Sequence, residues 1–523
     1  MKRMPVSPRF ALIALIAAFV IVRTVSAPTY TDAYYHFNAA ARLAGGQGLS
    51  DAYLWNYIGA PASLPAPSHL YWMPFTSITA AAGMWLLNAP GSQGAAQLLY
   101  IPMLAVVACV GFWLGVRLGG SKTHGWYAGL LTLFSGLFAG FWGAIDTFTP
   151  YAFAGSLGLL ALGLALEGRG YIWWILGGVF AALAHLTRAD GLLLPIVGIL
   201  IVLWPWDKTP LSKRIVQIAV LIAAYLVVMS PWFIRNLNAV GSALPVGGAQ
   251  AMWFRTYDEI FSYPPDSSLQ SLFADGVGVF LQSRWLAFTQ NLSTLIVVEG
   301  WVILTPFMFI GLWQRRWDRL VRPFWLYALG LHLAMTLVFP FPGYRGGLFH
   351  SAAALVPWWA ALGIVGLHHS IDWVAQKRRR WNARVAKTFF SIGILALALA
   401  LTIFGILRQQ AKPNGESALM QELRTTLPAD ARIMANDPAA IYYYTVHGGV
   451  VLPNEAPEVI LDIARVYNID YLLIQFQTLD DGGRIAAIPE PLTTLLDTLP
   501  AFLSPIPLEN ADARLYAIDH SAP

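Results

Sequence analysis

Thr31-Asp32-Ala33-Tyr34-Tyr35-His36 sets a carboxylate, two phenols and an imidazole side by side, directly after the first apolar run of the chain. A carboxylate there can act as general base towards a hydroxyl, with Tyr34, Tyr35 and His36 supplying apolar walls and hydrogen bonds around it. Other groups of chemical reach stand further along. Asp146 sits in Ile145-Asp-Thr-Phe-Thr-Pro150, and His185, Arg188 and Asp190 interrupt a long apolar run. Arg235 follows in Pro231-Trp-Phe-Ile-Arg-Asn236, and Arg255, Asp258 and Glu259 in Trp253-Phe-Arg-Thr-Tyr-Asp-Glu259. Arg345 and His350 share Phe341-Pro-Gly-Tyr-Arg-Gly-Gly-Leu-Phe-His-Ser351. Arginine keeps its charge at any working pH and grips phosphate through two parallel hydrogen bonds.

Plainer roles exist for each. Asp190 would cap a helix with Arg188 paired to it, and Asp146 would start a turn. Arg235 would snorkel to headgroups, and His350 would be a hydrogen-bonded core residue. Arg345 fits a plain role least, because Gly346 and Gly347 let another group approach the backbone. Glu299 falls within an apolar run and should face protein rather than lipid.

The elements that must position these groups are membrane spans. Hydrophobic residues make up 57% of the chain, charged residues 12%, and the mean hydropathy is +0.56. So little charge cannot cover a soluble domain, and bilayer-length apolar runs recur. The net charge of +5 is no nucleic-acid signal, because the basic residues cluster between apolar runs, where they orient spans. The single cysteine, Cys109, excludes an intramolecular disulfide and a cysteine metal site. Lys2, Arg3 and Arg9 precede the run from Phe10 to Ala27, a charge order that holds the N-terminus in the cytoplasm and delivers Asp32 to the opposite face. Val25-Ser26-Ala27 also resembles a signal-peptide cleavage site, but a retained anchor fits the parity of the remaining spans.

Residues 28–74 form a polar, aromatic, Pro-rich stretch, whose Trp55, Tyr57, Tyr71 and Trp72 suggest short helices at headgroup level. Apolar runs come next at about 95–117, 126–145, 150–166, 171–186, 191–206, 215–233, 290–313, 323–341, 348–368 and 388–407, with 75–88 short for a span. Alternate connections carry Arg117 and Lys122, then Arg169, then Lys208, Lys213 and Arg214, then Arg315, Arg316, Arg319 and Arg322, and last Lys377 to Arg380 with Arg384 and Lys387. All are basic, as cytoplasmic connections should be. About eleven spans result, which puts the C-terminal region outside with Asp32. The expected architecture is an α-helical polytopic protein of the plasma membrane: a transmembrane region 1–408 with long outer loops at 28–74 and 234–289, then a small exported α/β domain at 409–523. In that domain Ala431–Ala435, Val450–Leu452 and Tyr471–Ile474 read as strands, and Ala439–Thr445 and Pro457–Tyr467 as helices.

On this topology the carboxylates and the out-of-place arginines share one membrane face. Nucleotide-activated donors are not expected outside the cytoplasm, so a transferase there needs a donor carried in the lipid. A polyprenyl-phosphate sugar fits, since phosphate is a good leaving group and needs arginine more than an acid catalyst.

The acid directly after span one, the long first loop, Ser68-His-Leu-Tyr-Trp-Met-Pro74, Thr187-Arg-Ala-Asp-Gly191, Pro231-Trp-Phe-Ile-Arg-Asn236 and the exported tail come in the order seen in integral-membrane glycosyltransferases of the GT-C class, which most of the chain resembles. The resemblance implies that Asp32 is catalytic. Asp146 is the second candidate catalytic carboxylate, and by residue type and place His69, Arg188, Arg235, Arg255, Arg345 and His350 join Tyr34, Tyr35 and His36 as candidate substrate ligands. The resemblance also implies a lipid-linked sugar donor and a protein, lipid or glycan acceptor. Asp32-Ala-Tyr-Tyr-His36 looks especially like the first-loop motif of oligosaccharyltransferases, where the aspartate helps bind a divalent metal; Mg or Mn held by Asp32 is the cofactor this implies. The chain departs from that subgroup in lacking Trp-Trp-Asp, and from O-mannosyltransferases in having Ala33 after Asp32. The closest pattern is therefore a family-39-like transferase of a single sugar. A lipid transporter or flippase would show repeated halves, and none is seen; a glycan polymerase or ligase would differ mainly in acceptor.

Overall fold

The computed structural model describes residues 6–204, 209–245, 247–265, 267–378, 380–413, 415–478 and 484–522. Lys2, Arg3, Lys208 and Arg379 of the basic clusters lie outside them. The first helix, α1 (Pro8–Arg23), opens on a proline whose missing N–H has no partner to lose. Phe10, Ala14, Ala18 and Val22 recur along one buried stripe, while Leu12, Ile16, Phe19 and Val20 face outward. An apolar outer face of that kind needs lipid rather than water around it.

Among the described residues, five helices are long and apolar enough to cross a bilayer: Gln93–Gly119, Phe148–Leu166, Leu211–Val240, Pro340–Lys377 and Ala383–Gln410. Phe75–Leu86, Ile172–Thr187 and Ala189–Leu203 are apolar but shorter. This is a membrane protein. Several runs expected as single spans are broken by local backbone geometry. The run 126–145 divides into Lys122–Leu133 and a tight turn of helix at Gly136–Phe141. The run 290–313 is interrupted after Glu299, where Trp301 and Val302 adopt positive φ. Arg235, expected in a loop, lies in the last turns of Leu211–Val240.

The segment after α1 is ordered. α2 (Thr31–Ala44) carries the acidic cluster, and three short strands follow, β1 (Ser50–Asp51), β2 (Tyr53–Leu54) and β3 (Ala66–Pro67), before α3 (Phe75–Leu86). The aromatic residues do not form headgroup-level helices. Trp55 stacks on Trp72 at 3.9 Å and Tyr57 is fully buried, because large rings gain more by packing on one another and on the C-terminal sheet.

The C-terminal strands are β4 (Ile433–Ala435), β5 (Gly449–Val451), β6 (Tyr471–Thr478), β7 (Arg484–Ala486), β8 (Leu503–Ile506) and β9 (Ala513–Ile518). Helices Pro438–Thr445 and Val459–Tyr467 alternate with the first of them. The sheet order is β2-β5-β4-β6-β9-β8, with β7 hydrogen-bonded to β6. Its edge strand β2 comes from the first loop, pairing parallel to β5 through Tyr53↔Gly449 and Leu54↔Val450. A Cβ at Gly449 would stand 1.9 Å from the Ile433 carbonyl, so β4 and β5 can approach only because that residue is glycine. This pairing stitches the start of the chain to its end, immediately beside the acidic helix.

Candidate active site

Three elements converge at one point. Asp32 stands in the first turn of α2, Asp146 in the turn before helix Phe148–Leu166, and His350 in the helical turn Leu348–Ala352. One ligand atom from each lies within 4.8 Å of the other two. Arg345 (φ −81°, ψ 16°) and Gly346 (φ 123°) break the helix just ahead of His350. The φ at Gly346 is one that side chains with a Cβ avoid, and the resulting bend leaves Arg345 exposed while His350 is turned to Asp146.

Asp146 is buried and well held. Its Oδ1 accepts the Thr147 N–H at 2.5 Å, its Oδ2 accepts the Tyr30 hydroxyl at 2.8 Å, and His350 Nδ1 lies 3.5 Å from Oδ1. His350 Nδ1 is also 2.8 Å from Thr147 Oγ1. Asp32, by contrast, has no hydrogen bond or ion pair among the described residues and keeps part of its surface open. Its deep setting and the neighbouring Asp146 charge push its carboxyl well up, whereas burial of Asp146 is more than offset by His350, His36 and the Thr147 N–H, which keep that carboxyl low. One carboxylate is thus committed and ionised, and the other is open with raised proton affinity.

Around this centre the expected substrate ligands separate into two kinds. Arg188 is fully engaged: Nε reaches Asp190 Oδ1 at 3.0 Å and Ser351 Oγ at 2.8 Å, Nη2 the Gly347 carbonyl at 3.2 Å, and Nη1 Thr147 Oγ1 at 3.4 Å. It braces the turn beneath His350. Arg235 donates to the Leu49 carbonyl at 3.0 Å and to Asn236 at 2.9 Å, and its guanidinium covers Trp232 at 4.9 Å. Arg255 pairs with Glu259 at 2.6 Å and Asp275 at 3.7 Å. Arg345 differs. Its guanidinium lies 4.3 Å above the Tyr257 ring and meets no carboxylate or hydrogen-bond acceptor among the described residues.

The first-loop residues expected to line the substrate mostly stand behind the site. Tyr35 donates to Asp51 Oδ2 at 2.8 Å and accepts the His69 N–H at 2.6 Å. His36 Nδ1 and His69 Nε2 both lie 3.0 Å from Ser77 Oγ, and His69 Nδ1 lies 2.8 Å from Ser68 Oγ. All four of His36, Ser68, His69 and Ser77 are completely buried. Burial lowers His36 to about 4, so it is neutral at physiological pH. Tyr34 is 3.2 Å from the Tyr444 hydroxyl. His185 is hydrogen-bonded to Tyr225 at 2.6 Å, and Glu299 is buried against His332 (3.0 Å) and Trp359 (2.8 Å), facing protein as expected. Tyr30 and Thr147, close in sequence to the two acids, carry no signal in the sequence. Their roles depend on contacts no local pattern encodes.

Two carboxylate groups at this spacing suit Mg or Mn, with His350 a nitrogen donor beside them, and Asp32 has no hydrogen bond among the described residues to give up. Titration of the protein with Mn²⁺ should show a proton-linked affinity. Binding requires Asp32 deprotonated, and its carboxyl is raised to about 7. Affinity should therefore fall by roughly tenfold per pH unit below pH 7 and level off above it. An affinity flat from pH 5 to 8 would place the ion elsewhere.

No protein-family profile matches the chain, and no curated protein sequence matches it. Solved structures do. ArnT from Cupriavidus metallidurans in the apo state superposes with a TM-score of 0.59 at 13% identity, over 98% of each chain. The same protein bound to undecaprenyl phosphate gives 0.57 at 12%, again over 98% of each. The Archaeoglobus fulgidus oligosaccharyltransferase in its apo form gives 0.57 at 13%, over 92% of this chain and 76% of that one. The likeness is one of fold, which the chain shares with these structures.

Proposed function

We propose that this protein is a membrane glycosyltransferase that moves a sugar from a polyprenyl-phosphate-linked donor to a hydroxyl of a protein, lipid or glycan acceptor at the extracytoplasmic face. The observation that carries this reading is the open Asp32 beside Asp146 and His350, with the unengaged Arg345 at the bend five residues before His350. The acceptor oxygen attacks the anomeric carbon, the bond from that carbon to phosphate oxygen breaks, and phosphate leaves on its lipid. Asp32 is the carboxylate for the acceptor proton or the ligand for a cation beside it. Asp146 and His350 would complete that cation site. A bound Mg or Mn there would neutralise the paired carboxylates and steady charge on the departing phosphate.

The lipid carrier also has a place to lie. An apolar cavity of about 860 Å³ is lined by Leu292, Leu295, Phe309, Leu329, Leu333 and Leu337. Met335, on the same stretch of chain, packs under Gly343 and Gly347 of the Arg345 bend. The undecaprenyl phosphate bound by ArnT makes such a carrier a natural donor scaffold. The reading includes a cytoplasmic N-terminus, a transmembrane region 1–408, and the unit 409–523 on the side of Asp32, in the inner membrane.

Arg345 gives a direct test. Arg345→Ala should weaken binding of undecaprenyl phosphate, measured on purified protein, by about 10- to 100-fold, the worth of a charge-assisted hydrogen bond. Arg345→Lys should restore only part, because a point charge lacks the planar fork. Unchanged affinity in Arg345→Ala would remove the phosphate role.

A further inference from the structure

The acidic helix α2 is held along one face by a single element. Thr31, Tyr34, Asn38 and Arg42 recur every three or four residues, so they line one stripe of the helix. Each reaches the helix Pro438–Thr445 or the residue that caps it. Thr31 Oγ1 donates to Asp437 Oδ2 at 2.9 Å, and Tyr34 lies 3.2 Å from the Tyr444 hydroxyl. Asn38 Nδ2 donates to the Ala439 carbonyl at 2.9 Å, and Arg42 Nη1 to the Tyr442 hydroxyl at 2.9 Å.

Asp437 occupies a distinctive place in this seam. Its Oδ1 accepts the Ala440 N–H at 3.1 Å and so caps the helix Pro438–Thr445. Its other oxygen takes the hydroxyl of Thr31, the first residue of α2, which has no side-chain cap of its own. One carboxylate therefore serves two helix N-termini, where negative charge is favoured by both macrodipoles. The residue after Thr31 is Asp32, whose own carboxylate has nothing else to fix its place.

We propose that Asp437 is a positioning residue for Asp32: by anchoring Thr31 it sets the first turn of α2 so that Asp32 faces Asp146 and His350, and the C-terminal unit thereby completes the reaction centre. The proposal rests on the reading of Asp32 as the reacting carboxylate. Thr31 and Asp437 touch no reacting atom, so their effect passes through geometry. A displacement of about 1 Å at a reacting group can cost of order 100-fold in rate.

The test uses the full chain, with release of polyprenyl phosphate from a membrane-extracted lipid-linked sugar pool as the readout. Thr31→Val keeps shape and leaves the cap on Ala440 intact; it should lower kcat by about tenfold or more with KM for the lipid donor within about twofold. Thr31→Ser should restore kcat. Asp437→Ser, which keeps a good capping residue for Ala440 but is too short to reach Thr31 as well, should give the same split if Thr31→Val proves hard to purify. Arg42→Met, at the far end of the same seam, should stay within about twofold of wild type. Near-wild-type kcat in both Thr31→Val and Asp437→Ser would overturn the proposal, as would an equal loss in Arg42→Met, which would make the effect one of general docking. An active Asp32→Asn variant would instead fail the reading beneath it, so the two failures are distinguishable.

Discussion

Asp32→Asn should abolish most sugar transfer while leaving the protein folded. The substitution keeps the size of the side chain, and the carboxylate has no hydrogen bond or ion pair among the described residues to lose. Removing the repulsion between Asp32 and Asp146 should, if anything, ease the burial of this pair. What is lost is the charge and basicity at the open position. General-base contributions are typically 10²–10⁴-fold, so the transfer rate should fall by roughly that factor or more. The comparison is made on purified protein at equal amounts, with donor binding measured in parallel and expected to survive. Adding Mn²⁺ or Mg²⁺ to chelated wild type separates the two roles of Asp32: no change in rate favours the base, and restoration of rate favours the ligand.

Asp146→Asn should be nearly as damaging, through a different property. Asp146 is the committed anion of the pair, facing His350 and holding the Tyr30 hydroxyl and the Thr147 N–H. Asparagine can keep the bond from Thr147 and turn its amide towards Tyr30, so the turn before Phe148 should persist. On the proposed reading, however, the cation site would lose a charged ligand. Altering even the groups behind a ligand costs 10- to 100-fold in metal affinity, so Mn²⁺ affinity should drop by about 100-fold or more and transfer with it. Mn²⁺ titration followed by magnetic resonance checks this, and wild-type affinity in Asp146→Asn would take the cation away from the cluster.

Much of the fold and part of the site are legible in the sequence, for definite reasons. Asp32 is marked because a carboxylate directly after an apolar span has few cheap places to be. Run length points to about eleven spans, of which five appear among the described residues as helices long and apolar enough to cross a bilayer, and the Glu299 environment follows from the cost of a charge in lipid. Strands and helices after Ala431 alternate with periods that can be read directly. Other features have no local signature. Thr147 and His350 are 203 positions apart, and nothing in either neighbourhood announces their meeting. β2 has only two residues, too few to show alternation, so the stitching of the first loop into the C-terminal sheet is invisible before folding. The arginines Arg188, Arg235 and Arg255 look alike in the sequence, yet each is engaged: Arg188 by Asp190 and Arg255 by Glu259, both near in sequence, and Arg235 by the Leu49 carbonyl, which only tertiary structure supplies. His36, four residues from Asp32, and His69 face a buried serine, Ser77, on α3. The broken runs at Gly136 and Trp301 show the same limit, since hydropathy counts apolar residues and is blind to φ.

The central claim, that Asp32 drives cleavage of a lipid-phosphate sugar bond, is tested most directly by one product that depends on neither the identity of the sugar nor that of the acceptor. Wild-type protein and Asp32→Asn, in the same membranes, are supplied with a lipid-linked sugar pool, and the polyprenyl phosphate released is quantified by mass spectrometry. Release by wild type, with a loss of roughly 10²-fold or more in Asp32→Asn, is the predicted result. Equal release by the two proteins, or none by wild type, would contradict the claim.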